Sequence, residues 1–191
     1  MRRLFLMAVL MMSLALAACS TGYQAYRAGT FRGKALLGEE EYAQAKEEFV
    51  KASQAGPQEP EAYALAATAS YKMHDVAAAD RLIQEAMKHD KQSDVYIRIL
   101  GYRALILFKQ GKENEAFDVL HDYIAAYQNA YSLASVKGVS SMWRKKQVDI
   151  NSLEKLLDEG ITTYENDIEQ YRRSGTGWFA QKYVPTPSPG R

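Results

Sequence analysis

The segment from Glu41 to Ala52 recurs 34 positions later as Asp75 to Ala86, and this recurrence restricts the chain to very few architectures. Ala45 returns as Ala79, Phe49 as Ile83 and Ala52 as Ala86. The pattern comes back as Ala116, Leu120 and Tyr123, now 37 residues further on, with three residues inserted between the units. A small residue followed four positions later by a bulky apolar one puts both on the same face of a helix. The small residue lets a second helix approach closely, and the bulky one fills the gap to the next. Alanine, glutamate, leucine, lysine and glutamine are abundant, and proline is confined to Pro57, Pro60 and the tail, which is a helical composition. Pro57 cannot continue a helix, so it separates units. One helix pair cannot bury its own apolar face, so about three units must stack. A generic helical bundle does not account for three positions that coincide at one period.

This pattern resembles the tetratricopeptide repeat, whose unit is a helix–turn–helix of period 34. The family's small residue of the first helix falls on Gly33, Ala67 and Ala104. Its turn glycine is kept as Gly111 and replaced by Glu40 and His74, and its closing proline is kept only as Pro57. The resemblance implies an all-α, tetratricopeptide-type helical-repeat solenoid of about three repeats plus a C-terminal capping helix pair. Gly29 and Arg32 stand where the family prefers bulky apolar residues, so fraying of the first helix is expected. In this family the first helix of each pair lines a concave groove that takes peptide segments. By register, the implied groove residues are Arg27 and Lys34 from unit one, Thr68, Tyr71 and Lys72 from unit two, and Arg98, Leu105, Phe108 and Lys109 from unit three. The set is basic and aromatic, and so suits an acidic or carboxylate-ended peptide.

Beyond the third unit the period fades. Tyr131 to Lys146 reads as a helix with Tyr131, Val136, Val139 and Trp143 on one side. Asn151 to Arg173 reads as a longer one, because Leu153, Leu156, Leu157, Ile161, Tyr164, Ile168 and Tyr171 form an amphipathic stripe. Asp149 or Asn151 caps its start, and Ser174-Gly175-Thr176-Gly177 ends it. Trp178, Phe179 and Tyr183 lead into a proline-containing tail that ends at Arg191. The expected organisation is a leader over 1–18, a linker over 19–25, repeats over 26–130, capping helices over 131–173 and a flexible tail over 174–191.

The leader carries its own signal. Arg2 and Arg3 precede an apolar run from Leu4 to Ala15, and Leu16-Ala17-Ala18 then runs into Cys19, the sole cysteine. This arrangement resembles the lipobox of bacterial lipoprotein precursors. The resemblance implies that Cys19 is lipidated (by palmitate or a similar acyl chain) and becomes the first residue of the mature protein. Each buried methylene contributes roughly 0.8 kcal/mol, so two or more chains anchor stably. The run is too short for the ~20 residues of a bilayer-spanning helix. An ordinary secretory signal would leave Cys19 as an unpaired thiol in an oxidising compartment. Ser20 lacks the Asp that resembles an inner-membrane retention signal, which points to the outer membrane, facing the periplasm.

Charge and chemistry exclude other classes. With 24 basic and 23 acidic side chains, no global field draws the chain to nucleic acid. The three histidines, His74, His89 and His121, lack partners at metal-ligand spacing. Neither a nucleophile-elbow pattern nor a phosphate-binding glycine loop is present. Glu39, Glu40 and Glu41 read as solvated acids at a helix start. The reading is therefore a non-enzymatic, membrane-anchored scaffold with no metal or cofactor. It binds protein partners during assembly of an envelope complex such as a secretin, pilus or outer-membrane machine. The alternative is an accessory subunit or rare catalyst of envelope polysaccharide or peptidoglycan metabolism.

Overall fold

A computed structural model of the chain describes residues 22–90, 94–128 and 134–176. Cys19 with its leader, Tyr131, and Trp178, Phe179 and Tyr183 with their tail lie outside the described residues. Among those described, the structure is all-helical: α1 (22–38), α2 (Tyr42–Ala55), α3 (Pro60–Lys72), α4 (Val76–His89), α5 (Tyr96–Lys109), α6 (Glu113–Gln128), α7 (Ala134–Lys145) and α8 (Ile150–Ser174). They group into two compact units, α1–α4 and α5–α8, divided between Lys91 and Gln92.

The turns inside the helix pairs explain the repeat. Glu40, His74 and Gly111 adopt left-handed backbone at φ 62°, 62° and 74°. Each ends a first helix with the same two hydrogen bonds. One runs from the left-handed residue three positions back (Glu40 N–H to Leu37 O, His74 to Tyr71, Gly111 to Phe108). The other runs from the next residue five positions back (Glu41 to Leu36, Asp75 to Ser70, Lys112 to Leu107). Only at Gly111 does the residue suit that conformation without side-chain strain. The fourth pair makes the same turn, which the sequence did not announce. Lys146 stands at φ 51°, with Lys146 N–H on Trp143 O and Gln147 N–H on Met142 O. There, three residues separate the left-handed position from the next helix, where the other turns have one.

In the first unit, α3 packs against both α2 and α4. Its start is set by Pro60 at the first helical position, with Glu61 in the first turn. Ala62, Ala64, Ala66, Ala67 and Ala69 are fully buried, so neighbouring helices close on its backbone. Ala45, Phe49, Leu65, Ala66 and Ala69 form one core cluster, with Leu36, Leu37, Val50 and Leu82 around it. Gly33 is buried because the Phe49 ring occupies its space: a Cβ there would lie 2.4 Å from a ring carbon. Gly29 fits against Ala52 in the same way, so α1 runs unbroken where fraying was expected. Asp75 caps α4 by accepting the Ala78 N–H at 3.0 Å, and that bond together with Lys46 lowers its carboxyl pKa.

The repeat positions of the second unit, Ala104, Ala116, Leu120 and Tyr123, are all fully buried. Around them the helices close a ring in which α5 meets α6, α6 meets α7, α7 meets α8, and α8 returns to α5. Side chains here are large: Tyr102, Tyr123, Tyr127, Ile99, Leu105, Leu153 and Leu157 are among the most deeply buried. Gly101 makes room for Ile161 of α8, and Gly160 makes room for the Tyr123 hydroxyl, 2.7 Å from where a Cβ would stand. Asp149 caps α8, accepting the Ser152 N–H at 3.0 Å, and Gly175 at φ 66° ends it.

Candidate protein-binding faces

The residues assigned by register to a peptide groove fall into three groups. Arg27, Lys34 and Lys109 are exposed. Lys72 and Phe108 are half-buried. Thr68, Tyr71, Arg98 and Leu105 are buried, which departs from the expectation of an open face. In the first unit, Thr68 turns its hydroxyl onto the Ala64 carbonyl at 3.1 Å. Lys34 pairs with Glu61 at 2.5 Å, and the same carboxylate accepts the Tyr26 hydroxyl at 2.8 Å. Burial, and then the Glu61 charge, push the Tyr26 phenol well above its usual range. Arg27 meets no partner among the described residues.

In the second unit the correction is larger. The stripe Arg98, Gly101, Tyr102, Leu105 recurs at helical spacing on α5, and its Arg98-to-Tyr102 stretch faces α8. Arg98 donates both Nε and Nη2 to Glu165, each at 2.7 Å, and Tyr102 donates to Asp158 at 2.6 Å. Burial is the largest influence on Arg98 and disfavours the cation, but the Glu165 charge and hydrogen bonds, with Tyr102 and Asp158 beyond, together outweigh it and hold the cation. A bidentate, desolvated pair of this kind is a packing element, and this guanidinium is occupied by the protein itself. Burial, reinforced by Asp158, keeps the Tyr102 phenol neutral far into the alkaline range.

Sequence reasoning missed Asp158 and Glu165. The available signal was an acid at two positions, seven apart, on the face of α8 that also carries Ile161. It also missed a cation–aromatic cluster beside the α7 turn. Phe108 meets Phe117 edge-on at 5.2 Å, and Lys146 Nζ sits 4.2 Å from the centre of the Phe117 ring. Trp143 donates its indole N–H to the Phe117 carbonyl at 3.0 Å and packs against the exposed His121 at 5.3 Å. Lys109, adjacent to Phe108 in sequence, meets no partner among the described residues.

His89 stacks on Tyr63, and no group of His, Cys, Asp or Glu among the described residues could hold a metal ion. No described helix is long and apolar enough to cross a membrane.

No protein-family model matches the chain, and no curated protein matches it. Solved structures do, and two of them are tetratricopeptide domains. One is the TPR2B domain of yeast Sti1 in complex with pHsp70, at 14% identity, covering 72% of this chain and 98% of that one, with a TM-score of 0.52. The other is the Sgt2 TPR domain from Aspergillus fumigatus, at 16% identity, covering 87% and 90% respectively, with a TM-score of 0.50. At these identities the likeness establishes the fold alone: an all-α helical repeat of the tetratricopeptide type.

Proposed function

We propose that the chain is a lipid-anchored protein-interaction scaffold of the bacterial cell envelope, held through Cys19 to the outer membrane and facing the periplasm. It binds partners during assembly of an envelope complex. The observation that carries the interaction role is the tetratricopeptide-type fold, shared with a domain solved in complex with pHsp70. The lipobox-like Leu16-Ala17-Ala18-Cys19 supports the anchor, and Ser20 supports the outer membrane.

For the partner, an acidic or carboxylate-ended segment fits best. Lys34 and Arg98 already have carboxylate partners within the protein, whereas Lys109 is exposed and meets no partner among the described residues, so Lys109 is the groove cation offered to such a segment. Contacts at such exposed cations are salt-sensitive, with screening over ~8–10 Å at physiological ionic strength. The test is crosslinking and pull-down from native envelopes with Lys109→Glu. We expect partner capture to fall while the melting temperature holds. Recovery of the same partners at normal yield contradicts the reading. The anchor is tested separately by labelling Cys19→Ala cells with a fatty-acid probe, where lipid incorporation should vanish.

A further inference from the structure

We propose that the outward stripe of α1 is a membrane-seating face, which lays this helix along the headgroup layer of the bilayer that holds Cys19. The inference rests on the lipid-anchor reading above and adds an orientation to it. Gln24, Ala28, Phe31 and Ala35 follow one another at spacings of four, three and four, so they share one side of the helix, and all are exposed. The opposite side, with Tyr26, Gly29, Thr30 and Gly33, is buried. Phe31 is 75% exposed and Tyr23 57%, two of the four large apolar side chains that the described residues leave in solvent.

Charge points the same way. Between residues 22 and 38 there is no acid, whereas Arg27, Arg32 and Lys34 flank the stripe around Phe31. Glu48 and Glu61, from neighbouring helices, neutralise Arg32 and Lys34, which leaves the Arg27 cation for an anionic headgroup. Aromatic rings beside basic side chains suit the headgroup boundary, where the ring enters the apolar edge and the cation stays wet.

The tether selects the occupant. The described part of α1 starts at residue 22, three residues after Cys19, so that point lies within about 10 Å of the anchor whatever path the chain takes. A helix standing upright from there would carry Ala35 roughly 20 Å away from the membrane, at 1.5 Å per residue. A helix lying on its Phe31 side keeps Ala35 at the headgroups.

That difference is measurable. Cys19 is the only native cysteine and is consumed by lipid, so Ala35→Cys in the full lipidated protein offers one reactive thiol for a fluorophore. Gln84→Cys, exposed on α4 of the same unit, is the control. Both are reconstituted in phosphatidylcholine–phosphatidylglycerol vesicles carrying a headgroup nitroxide quencher. We expect quenching at position 35 to exceed the control by about threefold or more, and Phe31→Asp to return it to the control level. Circular dichroism verifies that each variant is folded. Equal quenching at the two positions in a lipidated protein that floats with the vesicles overturns the seating face alone. A label at 35 that is shielded from a water-soluble quencher but not reached by the lipid quencher assigns the face to a protein contact, and also overturns it. An unlipidated mass at Cys19 with no flotation overturns the anchor reading, and this proposal with it.

Discussion

The two units use the same hairpin turn and fill their interiors in opposite ways. In the first, five fully buried alanines of α3 bring backbones together, and single bulky residues such as Phe49 and Ile83 plug the gaps. In the second, α8 lies against α5, and the space holds tyrosines and a buried arginine whose polar ends need partners. A small-residue core has its geometry set by close approach alone. A core that holds Tyr102 and Arg98 must satisfy hydrogen bonds as well, and it does so for these two with Asp158 and Glu165 of one helix. The consequence for function is that α1 keeps an outward face, while the Arg98 stretch of α5 is covered from within its own unit.

The strongest way to break this contrast is Glu165→Ala. It leaves the Arg98 cation buried without its carboxylate, which typically costs about 3–5 kcal/mol. Replacing both partners with apolar residues, Arg98→Met with Glu165→Leu, should be near neutral by comparison. Denaturant melts of the single and double variants check both. A single variant within about 0.5 kcal/mol of wild type, the usual size of a surface effect, would mean the pair is not desolvated.

Alkali should act next, and mainly on the second unit. Burial raises the phenol pKa of Tyr102, Tyr123 and Tyr127 there, and of Tyr26 in the first. A raised folded pKa gives stability that is full below the unfolded value near 10 and is lost as pH rises above it. Each such group contributes up to ~1.4 kcal/mol of loss per pH unit. Hydrogen exchange followed above pH 10 should show α5–α8 opening before α1–α4. Simultaneous opening would remove the distinction.

Gly33→Ala probes the first unit. The new methyl would collide with the Phe49 ring, an overpacking that costs about 1–3 kcal/mol. A melting temperature unchanged within error would contradict the close approach of α1 and α2.

Sequence carried most of the architecture, because small-then-bulky spacing is a direct requirement of helices in close contact. Ala45, Ala79 and Ala116 could be placed without coordinates for that reason. The fourth turn could not, since Lys146 is not a residue that marks left-handed backbone, and its unit keeps no small-then-bulky signature. Nor could the partner of Arg98. Register on α5 says which side of the helix the guanidinium leaves from, but Glu165 lies 67 residues away and no local pattern links the two. The α5 stripe through Arg98 was therefore legible, and its covering by α8 was not.

The smallest effect sharpens the shared turn. His74 holds left-handed backbone, which costs a non-glycine residue roughly 1–2 kcal/mol. His74→Gly relieves that strain but loses about 0.5–1 kcal/mol to unfolded-chain entropy. A net gain below about 1 kcal/mol is expected, while Gly111→Ala should lose about 1. Opposite signs in paired thermal melts would show that the two turns do the same job.

Native-state hydrogen exchange of the α8 amides between Leu153 and Ile168 bears most directly on the closure of the second unit. If α8 is an integral wall around Arg98, these amides exchange through the same opening as those of α5, and both lose protection together in Glu165→Ala. Exchange of α8 at the rate of an isolated helix, with α5 still protected and indifferent to the substitution, would contradict the account.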